Sequence, residues 1–264
     1  MTVPQVLVLR APGTNCDVET AYAFELAGGR PERVHISRLL ENPARIHDFQ
    51  ILCIPGGFSF GDDLGAGRIL ASKWRKYLRD ALQEFHAAGK LMLGICNGFQ
   101  VLMKTGMLLA EDAQGPIATL TWNNHGRYEA RWVKLRTDGH QCVFLRGIDE
   151  IELPMAHAEG RFVTRGPQIL TTLRDRGQLA LRYCDATGSA ASSSLDAPLD
   201  FPANPNGSQA DVAGVCDPTG RIFGLMPHPE RFVDPTHHPR WTREAIPSPG
   251  LGLRFFTNAV EYFA

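Results

Sequence analysis

The residue best placed for chemistry in this sequence is a cysteine set between two glycines, in Gly94-Ile95-Cys96-Asn97-Gly98. Apolar residues 91–93 lead into this segment and residues 101–103 follow it, which predicts a buried strand, a tight turn and a helix start. Small neighbours let a strained nucleophile stand clear of a sheet, and a helix N-terminus favours a thiolate and a developing oxyanion. The alternative is an ordinary buried cysteine, because free cysteine usually behaves as a small hydrophobe. Cys96 is therefore our candidate nucleophile.

A cysteine nucleophile needs a base, and the base needs a group that orients it. His228 and Glu230 lie in Pro227-His228-Pro229-Glu230, directly after an apolar strand. Proline after His228 favours an extended backbone, in which positions i and i+2 point to the same side. The sequence thus predicts that Glu230 holds the His228 imidazole at a strand end. Without Cys96, a solvated loop histidine beside a surface glutamate would be the better interpretation.

The order of these groups also carries information. Here the nucleophile precedes the histidine and the acid follows it, whereas α/β-hydrolases have the order nucleophile, acid, histidine. An esterase is therefore a poorer interpretation.

A glycine pair after another predicted buried strand supplies a third element, Pro55-Gly56-Gly57-Phe58. Glycines let backbone N–H groups approach a ligand closely. One donor near Gly57 and one at Asn97, after the nucleophile, would form an oxyanion hole. A simple turn is the alternative, since two glycines alone are weak support.

Other polar groups fit known sites less well. The glycine-rich segment 61–67 has neither the spacing nor the lysine of a phosphate-binding loop or a dinucleotide fingerprint. Asp62 and Asp63 could bind a metal, but a solvated loop is the better interpretation. His237-His238 lack the spacing of a helical metal pair and are expected at the surface. We predict no metal site, and four residues keep no assigned role: Asp62, Asp63, His125 and His157.

The elements that must position these residues alternate between strands and helices in the first hundred residues. Apolar runs predict buried strands at 5–10, 34–36, 49–54 and 90–95, which implies βαβ units and a mainly parallel sheet. Helical spacing predicts one helix ending near Gly89, with the apolar positions Leu70, Trp74, Leu78, Leu82 and Phe85. Between about 120 and 183 apolar and polar residues alternate, which predicts antiparallel strands extending the sheet.

The C-terminal half continues with less regular segments. Residues 187–200 are rich in serine and alanine and predict a surface loop. A hairpin over 212–226 and an amphipathic C-terminal helix follow. We expect residues 1–264 to form a single domain, because no change in composition marks a boundary.

Composition limits the possible partners and compartments. A formal charge of −1 gives no reason to expect nucleic acid or an anionic membrane surface. No apolar run reaches transmembrane length, and the N-terminal residues do not resemble a signal peptide. The six cysteines are scattered without a C-x-x-C pair, which favours the reducing cytoplasm over a secreted disulfide framework.

Taken together, these motifs resemble the class I (triad) glutamine amidotransferases, and among them the glutaminase subunits of phosphoribosylformylglycinamidine synthase. The resemblance covers nearly the whole chain. The triad segments mark the superfamily, whereas three others mark the subunit: Gly13-Thr14-Asn15-Cys16-Asp17, Gly57-Phe58-Ser59-Phe60-Gly61-Asp62 and Asn204-Pro205-Asn206-Gly207-Ser208. The serine-rich stretch before Phe201 is long for the family.

The resemblance implies a flavodoxin-like three-layer α/β/α fold with an antiparallel extension. It further implies that Cys96 attacks the side-chain amide of L-glutamine, that His228 protonates the departing ammonia, and that Gln100 helps to hold the substrate. The ammonia would pass to a large synthetase subunit, aided by a small accessory subunit. ATP and Mg²⁺ belong to that synthetase, and this chain would need no cofactor.

Two other classes remain as alternatives. One is a binding or chaperone-like protein of similar fold, with the cysteine turn used as a redox sensor. The other is a freestanding cysteine hydrolase acting on peptides or small amides. Release of ammonia from glutamine, without turnover of peptides or esters, would separate the three.

Overall fold

A computed structural model describes residues 3–185, 188 and 197–264, and its core is a mixed β-sheet. The strands, in chain order, are β1 (Gln5–Arg10), β2 (Arg30–His35), β3 (Ile51–Ile54), β4 (Leu91–Ile95), β5 (Ala118–Thr121), β6 (Glu129–Thr137), β7 (Glu150–His157), β8 (Arg161–Thr164), β9 (Leu181–Tyr183), β10 (Val212–Cys216) and β11 (Ile222–Leu225). The helices are α1 (Asp17–Leu26), α2 (Ile36–Glu41), α3 (Arg68–Tyr77), α4 (Arg79–Ala87), α5 (Asn97–Thr105), α6 (Pro167–Asp175) and α7 (Leu253–Glu261).

The main sheet has the spatial order β2-β1-β3-β4-β11-β10-β9-β6-β7. Its first five strands run parallel, and the remaining four pair antiparallel. Strands β3 and β4 are buried along their whole length, as expected for parallel strands covered on both faces, whereas β7 alternates buried and partly exposed residues. The predicted α/β class, with a mainly parallel sheet and an antiparallel extension, is confirmed.

The parallel order brings the carboxyl ends of four strands to one edge of the sheet. The segments that follow β1, β3, β4 and β11 contain Cys16, Gly57, Cys96 and His228, respectively. Ligand sites of open α/β sheets lie at this edge, because the connecting loops there leave a crevice. The strand order therefore gathers residues that are far apart in the sequence.

The prediction of one helix from Leu70 to Phe85 was wrong. Helix α3 ends at Tyr77 and α4 begins at Arg79, because the backbone of Leu78 leaves helical geometry with φ −120° and ψ 1°. The buried apolar positions nevertheless continue on one face through the break, which explains why the periodicity looked uninterrupted.

The predicted loop at 187–200 lies largely outside the described residues. At its described end, the Leu199 backbone N–H donates to Asp211 Oδ1 at 2.8 Å. Among the described residues, no helix combines the length and the apolar character needed to cross a membrane.

Candidate active site

Cys96 occupies a strained turn between β4 and α5. Its backbone has φ 51° and ψ −104°, a positive φ that a non-glycine residue rarely adopts. The flanking glycines are required by space: a Cβ at Gly98 would lie 1.9 Å from the Ile54 carbonyl oxygen, and one at Gly94 would lie 2.6 Å from the Gly98 oxygen. The turn thus presents Cys96 at the start of α5, where unpaired N–H groups favour negative charge.

His228 and Glu230 form a buried hydrogen-bonded pair. The distance from His228 Nδ1 to Glu230 Oε1 is 2.6 Å, and both side chains are almost fully buried. A carboxylate can only accept, so Nδ1 carries the proton and Nε2 is the nitrogen left for another partner. Nε2 has no hydrogen-bond partner among the described residues.

The backbone brings this pair together in a way that differs from the prediction. His228 is held by its own N–H, which donates to the Pro154 carbonyl at 2.8 Å, but Pro229–Arg231 form a short 3₁₀ turn. The extended i, i+2 geometry was therefore wrong, and the turn aligns the two side chains. Proline is well suited to the first position of such a turn, because its φ is already fixed.

The charge state of His228 follows from its neighbours. Burial opposes a positive charge, but Glu230 and the Cys96 sulfur outweigh it and raise the pKa of His228 well above its usual value. An imidazole in this setting holds a proton that it can exchange with a neighbouring nucleophile.

The two predicted backbone donors belong to the segments that follow β3 and β4. Asn97 is the first residue of α5, so its N–H has no partner within the helix. Gly57 has φ +136°, and a Cβ there would lie 2.7 Å from the Asn15 nitrogen, so glycine is required. Side-chain Oδ1 of Asn97 accepts from the Ser59 N–H at 3.1 Å, which ties the loop after β3 to the nucleophile turn.

A cavity of about 350 Å³ opens beside these groups. Gln100 lines it, and its amide is held on both sides: Oε1 accepts from Asn97 Nδ2 at 2.9 Å and Nε2 donates to the Glu159 carbonyl. The lining also includes Asn15, Cys16, Gly57, Phe58, Asp62, Cys96, Trp122, Tyr128, His157, Glu159, His228 and Arg231. Glu230 and Asn97 are not among the lining residues. Glu230 can therefore act on a bound molecule only through His228, and Asn97 only through its backbone N–H.

Sequence reasoning missed Cys16 and Arg231 as site residues. Cys16 follows β1 and is buried, and its Sγ lies 3.1 Å from Arg231 Nη2. Arg231 Nε is 3.9 Å from Glu230 Oε1. The signal available was the Gly-Thr-Asn-Cys-Asp segment, which marked the subunit but gave no hint that its cysteine reaches the histidine.

Of the four residues that had no assigned role, Asp62 and His157 line the cavity, whereas Asp63 and His125 do not. His157 is buried, with Nδ1 bonded to Asn123 Oδ1 at 3.2 Å, and burial lowers its pKa to about 3, so this ring stays neutral. Burial raises the pKa of Asp62, whose Oδ1 accepts from Asn97 Nδ2 at 2.9 Å. His125 Nε2 lies outside the cavity lining, 3.1 Å from the Pro205 oxygen.

His238 does not lie at the surface as predicted. It is buried against the Trp132 ring, with ring centroids 4.7 Å apart, and its Nε2 lies 3.5 Å from Glu152 Oε2. Its neighbour His237 is exposed, as expected.

Comparison with known proteins identifies relatives of the whole chain. A profile of the CobB/CobQ-like glutamine amidotransferase domain matches residues 3–263. The chain is 48% identical over 263 residues to the phosphoribosylformylglycinamidine synthase subunit PurQ of Dehalococcoides mccartyi, covering 99% of this chain and 98% of the relative. It is 42% identical over 273 residues to the PurQ subunit of Methanococcus maripaludis, covering 99% of each.

A solved structure gives the same result. The structure of PurLQS from Thermotoga maritima contains a chain that matches with a TM-score of 0.73 and 28% identity, over 100% of both chains. The chain therefore belongs to the glutamine amidotransferases and, within them, to the PurQ subunits of phosphoribosylformylglycinamidine synthase. This confirms the family that the sequence motifs predicted.

Proposed function

We propose that Cys96, His228 and Glu230 hydrolyse L-glutamine to glutamate and ammonia. Cys96 passes its proton to His228 and attacks the side-chain amide carbon. His228 then gives that proton to the departing ammonia, which leaves a thioester on Cys96. Water hydrolyses the thioester, with His228 as the base, and the free thiol returns. One observation carries this proposal: His228, held by the buried Glu230 at 2.6 Å, lines the same cavity as a cysteine at a strained turn.

The tetrahedral intermediates of both steps place negative charge on the former amide oxygen. We assign its stabilisation to two backbone N–H groups, that of Asn97, directly after the nucleophile, and that of Gly57, which lines the same cavity. Loss of one such donor costs about 100- to 1000-fold in rate in comparable enzymes. Gln100 would bind the substrate from the cavity wall, its amide orientation fixed by the bonds to Asn97 and the Glu159 carbonyl.

We further propose that the ammonia passes to a large synthetase subunit that converts formylglycinamide ribonucleotide to its amidine. ATP and Mg²⁺ would bind to that subunit, and a small accessory subunit would complete the assembly. The name PurLQS of the matching structure supports a multisubunit assembly. Three half-exposed aromatic residues, Phe58, Trp122 and Tyr128, line the cavity and offer apolar surface to a docked partner.

Two coarser expectations accompany this proposal. We propose that residues 1–264 act as one glutamine amidotransferase domain, since the family profile runs through almost the whole chain. We also propose the cytoplasm as the compartment, which fits six cysteines that are all free thiols.

The test uses the assembled synthase carrying Cys96→Ala. This complex should lose amidine formation from glutamine but keep it with added ammonium salt, because the synthetase site is elsewhere. Cys184→Ala is the matched control, since Cys184 lies outside the cavity lining, and it should keep both activities. Loss of both activities in an assembled Cys96→Ala complex would show that Cys96 does more than release ammonia. Retention of both would remove Cys96 from the chemistry.

A further inference from the structure

The end of strand β7 brings a backbone carbonyl close to the nucleophile. β7 is the last strand of the main sheet, so one of its two edges is open. Carbonyl groups alternate in direction along a strand, and those of Pro154 and Ala156 therefore point to the same side. The Pro154 carbonyl accepts from the His228 N–H at 2.8 Å, and the Ala156 oxygen lies 3.8 Å from Cys96 Sγ. The open edge of β7 thus faces both Cys96 and His228.

A second acceptor is the ring of His157, the last residue of β7. Its proton is located by Asn123, whose side-chain N–H groups donate to the Arg127 and His157 carbonyl oxygens, both at 2.9 Å. Asn123 Oδ1 must therefore accept, and His157 Nδ1 carries the proton of the 3.2 Å bond between them. Burial and the nearby His228 lower the pKa of His157 to about 3, so the ring is neutral and Nε2 has only a lone pair.

This lone pair has no donor in the described part of the chain. His157 Nε2 is buried and makes no hydrogen bond there, although His157 lines the cavity together with Cys96 and His228. A buried acceptor without a donor is costly, and a bound molecule that supplies an N–H would remove the cost.

The Ala156 carbonyl also loses a donor during the reaction. In the free site the Cys96 thiol can donate to it, but attack on the substrate sends that proton to His228. At that moment the amide nitrogen is bonded to the same carbon as Sγ, which brings it within reach of an oxygen beside the sulfur. A primary amide has two N–H donors, and the end of β7 offers two acceptors.

We propose that the Ala156 carbonyl and His157 Nε2 accept the two N–H groups of the substrate's side-chain amide and hold the leaving group. This inference rests on the proposed function and extends it to the selection of a primary amide. With both N–H groups directed at β7, the nitrogen lone pair takes the proton from His228. The C–N bond then breaks, its electron pair passes to nitrogen, and ammonia leaves as the thioester forms. An ester has no N–H for these acceptors.

The first test compares two reactions of Cys96 in the assembled synthase. His157→Phe keeps a flat ring without the acceptor, and it should slow glutamate release from L-glutamine by about tenfold, the worth of one neutral hydrogen bond. Alkylation of Cys96 by 6-diazo-5-oxo-L-norleucine, a ketone without amide N–H groups, should keep its parental rate. His157→Gln restores an acceptor and should recover most of the lost activity. His238→Phe is the control, since His238 is equally buried but lies outside the cavity lining.

Equal slowing of hydrolysis and alkylation in His157→Phe would show a structural role for His157 and overturn the proposal. Parental hydrolysis by this variant would do the same.

A second test measures binding without catalysis and does not depend on the folding of a His157 variant. By titration calorimetry, Cys96→Ala should bind L-glutamine at least about tenfold more tightly than L-glutamate γ-methyl ester, which leaves both acceptors unpaired. Equal affinity for the two would overturn the proposal. This preference together with no glutamate release by the parent synthase would refute the proposed function and not the amide site.

Discussion

Replacing Glu230 by glutamine removes the charge beside His228 and keeps nearly the same shape. The bond to be weakened is 2.6 Å long and its carboxylate is fully buried, so water cannot replace it. Hydrogen bonds to charged groups contribute about 1.5 to 3 kcal/mol. At about 1.4 kcal/mol for each tenfold change in rate, Glu230→Gln should slow glutamine hydrolysis by about 10- to 150-fold. His228→Ala should be far more damaging, nearly as severe as Cys96→Ala, because nucleophile and base act as a unit.

The assay is glutamate release by the assembled synthase at saturating glutamine, measured across pH. Glu230 raises the pKa of His228, so Glu230→Gln should also move the alkaline loss of activity to lower pH. A matched control exists in Glu152→Gln, whose carboxylate pairs with His238 outside the cavity lining and should leave the rate and the pH profile unchanged. Near-parental turnover of Glu230→Gln with an unshifted profile, or of folded His228→Ala, would refute the assignment of base and acid.

Three further predictions test the nucleophile and the packing around the sheet. A glutamine-mimicking electrophile should label Cys96 before the other five cysteines, and peptide mapping that finds another thiol modified first would count against Cys96 as nucleophile. Burial opposes ionisation of Asp217, but hydrogen bonds from a histidine, a threonine and backbone N–H groups lower its pKa to about 2. Because this folded-state pKa lies below the unfolded value, ionised Asp217 should add about 2 kcal/mol to the free energy of unfolding above pH 4, and this contribution should be lost as the pH falls through 2. Denaturant unfolding of Asp217→Asn at pH 7 should show the same loss. A variant as stable as the parent would contradict this prediction. Gly98→Ala should destabilise the fold by about 2 to 3 kcal/mol, because its Cβ would lie 1.9 Å from the Ile54 oxygen. Gly166→Ala is the control, since its Cβ would meet its nearest neighbour at 3.4 Å. Similar unfolding curves for the two variants would contradict the prediction and show that the turn relaxes.

Local sequence patterns were enough to predict several strands, the nucleophile turn and two of the site residues. The apolar runs at β1, β3 and β4 and the alternation in β6 and β7 follow from which faces each segment must bury, and a sequence carries that information residue by residue. The turn at Cys96 is also marked locally, by the glycines at positions 94 and 98, although the Ile54 carbonyl of the neighbouring strand is what excludes a side chain at 98. His228 and Glu230 were found for the same reason, as they are separated by one residue.

Predictions from local sequence patterns were wrong where one pattern fits more than one backbone conformation or degree of burial. The break at Leu78 leaves the buried face continuous, so periodicity alone cannot reveal it. Here a 3₁₀ turn after His228 allows the contact with Glu230 that an extended segment was expected to provide. His238 looked like a surface residue because nothing near it in the sequence shows that Trp132 covers it.

The order of the strands was decided only by the tertiary structure. The sequence predicts β1, β3 and β4 as strands of a mainly parallel sheet and β11 as part of a hairpin, but not that these four strands are neighbours in the order β1-β3-β4-β11. That order places Cys16, Gly57, Cys96 and His228 at one edge, and it brings Cys16 against the histidine that Cys96 needs. Hydrophobic pattern specifies which face of a strand is buried, whereas the neighbour it is buried beside depends on how all the faces pack together.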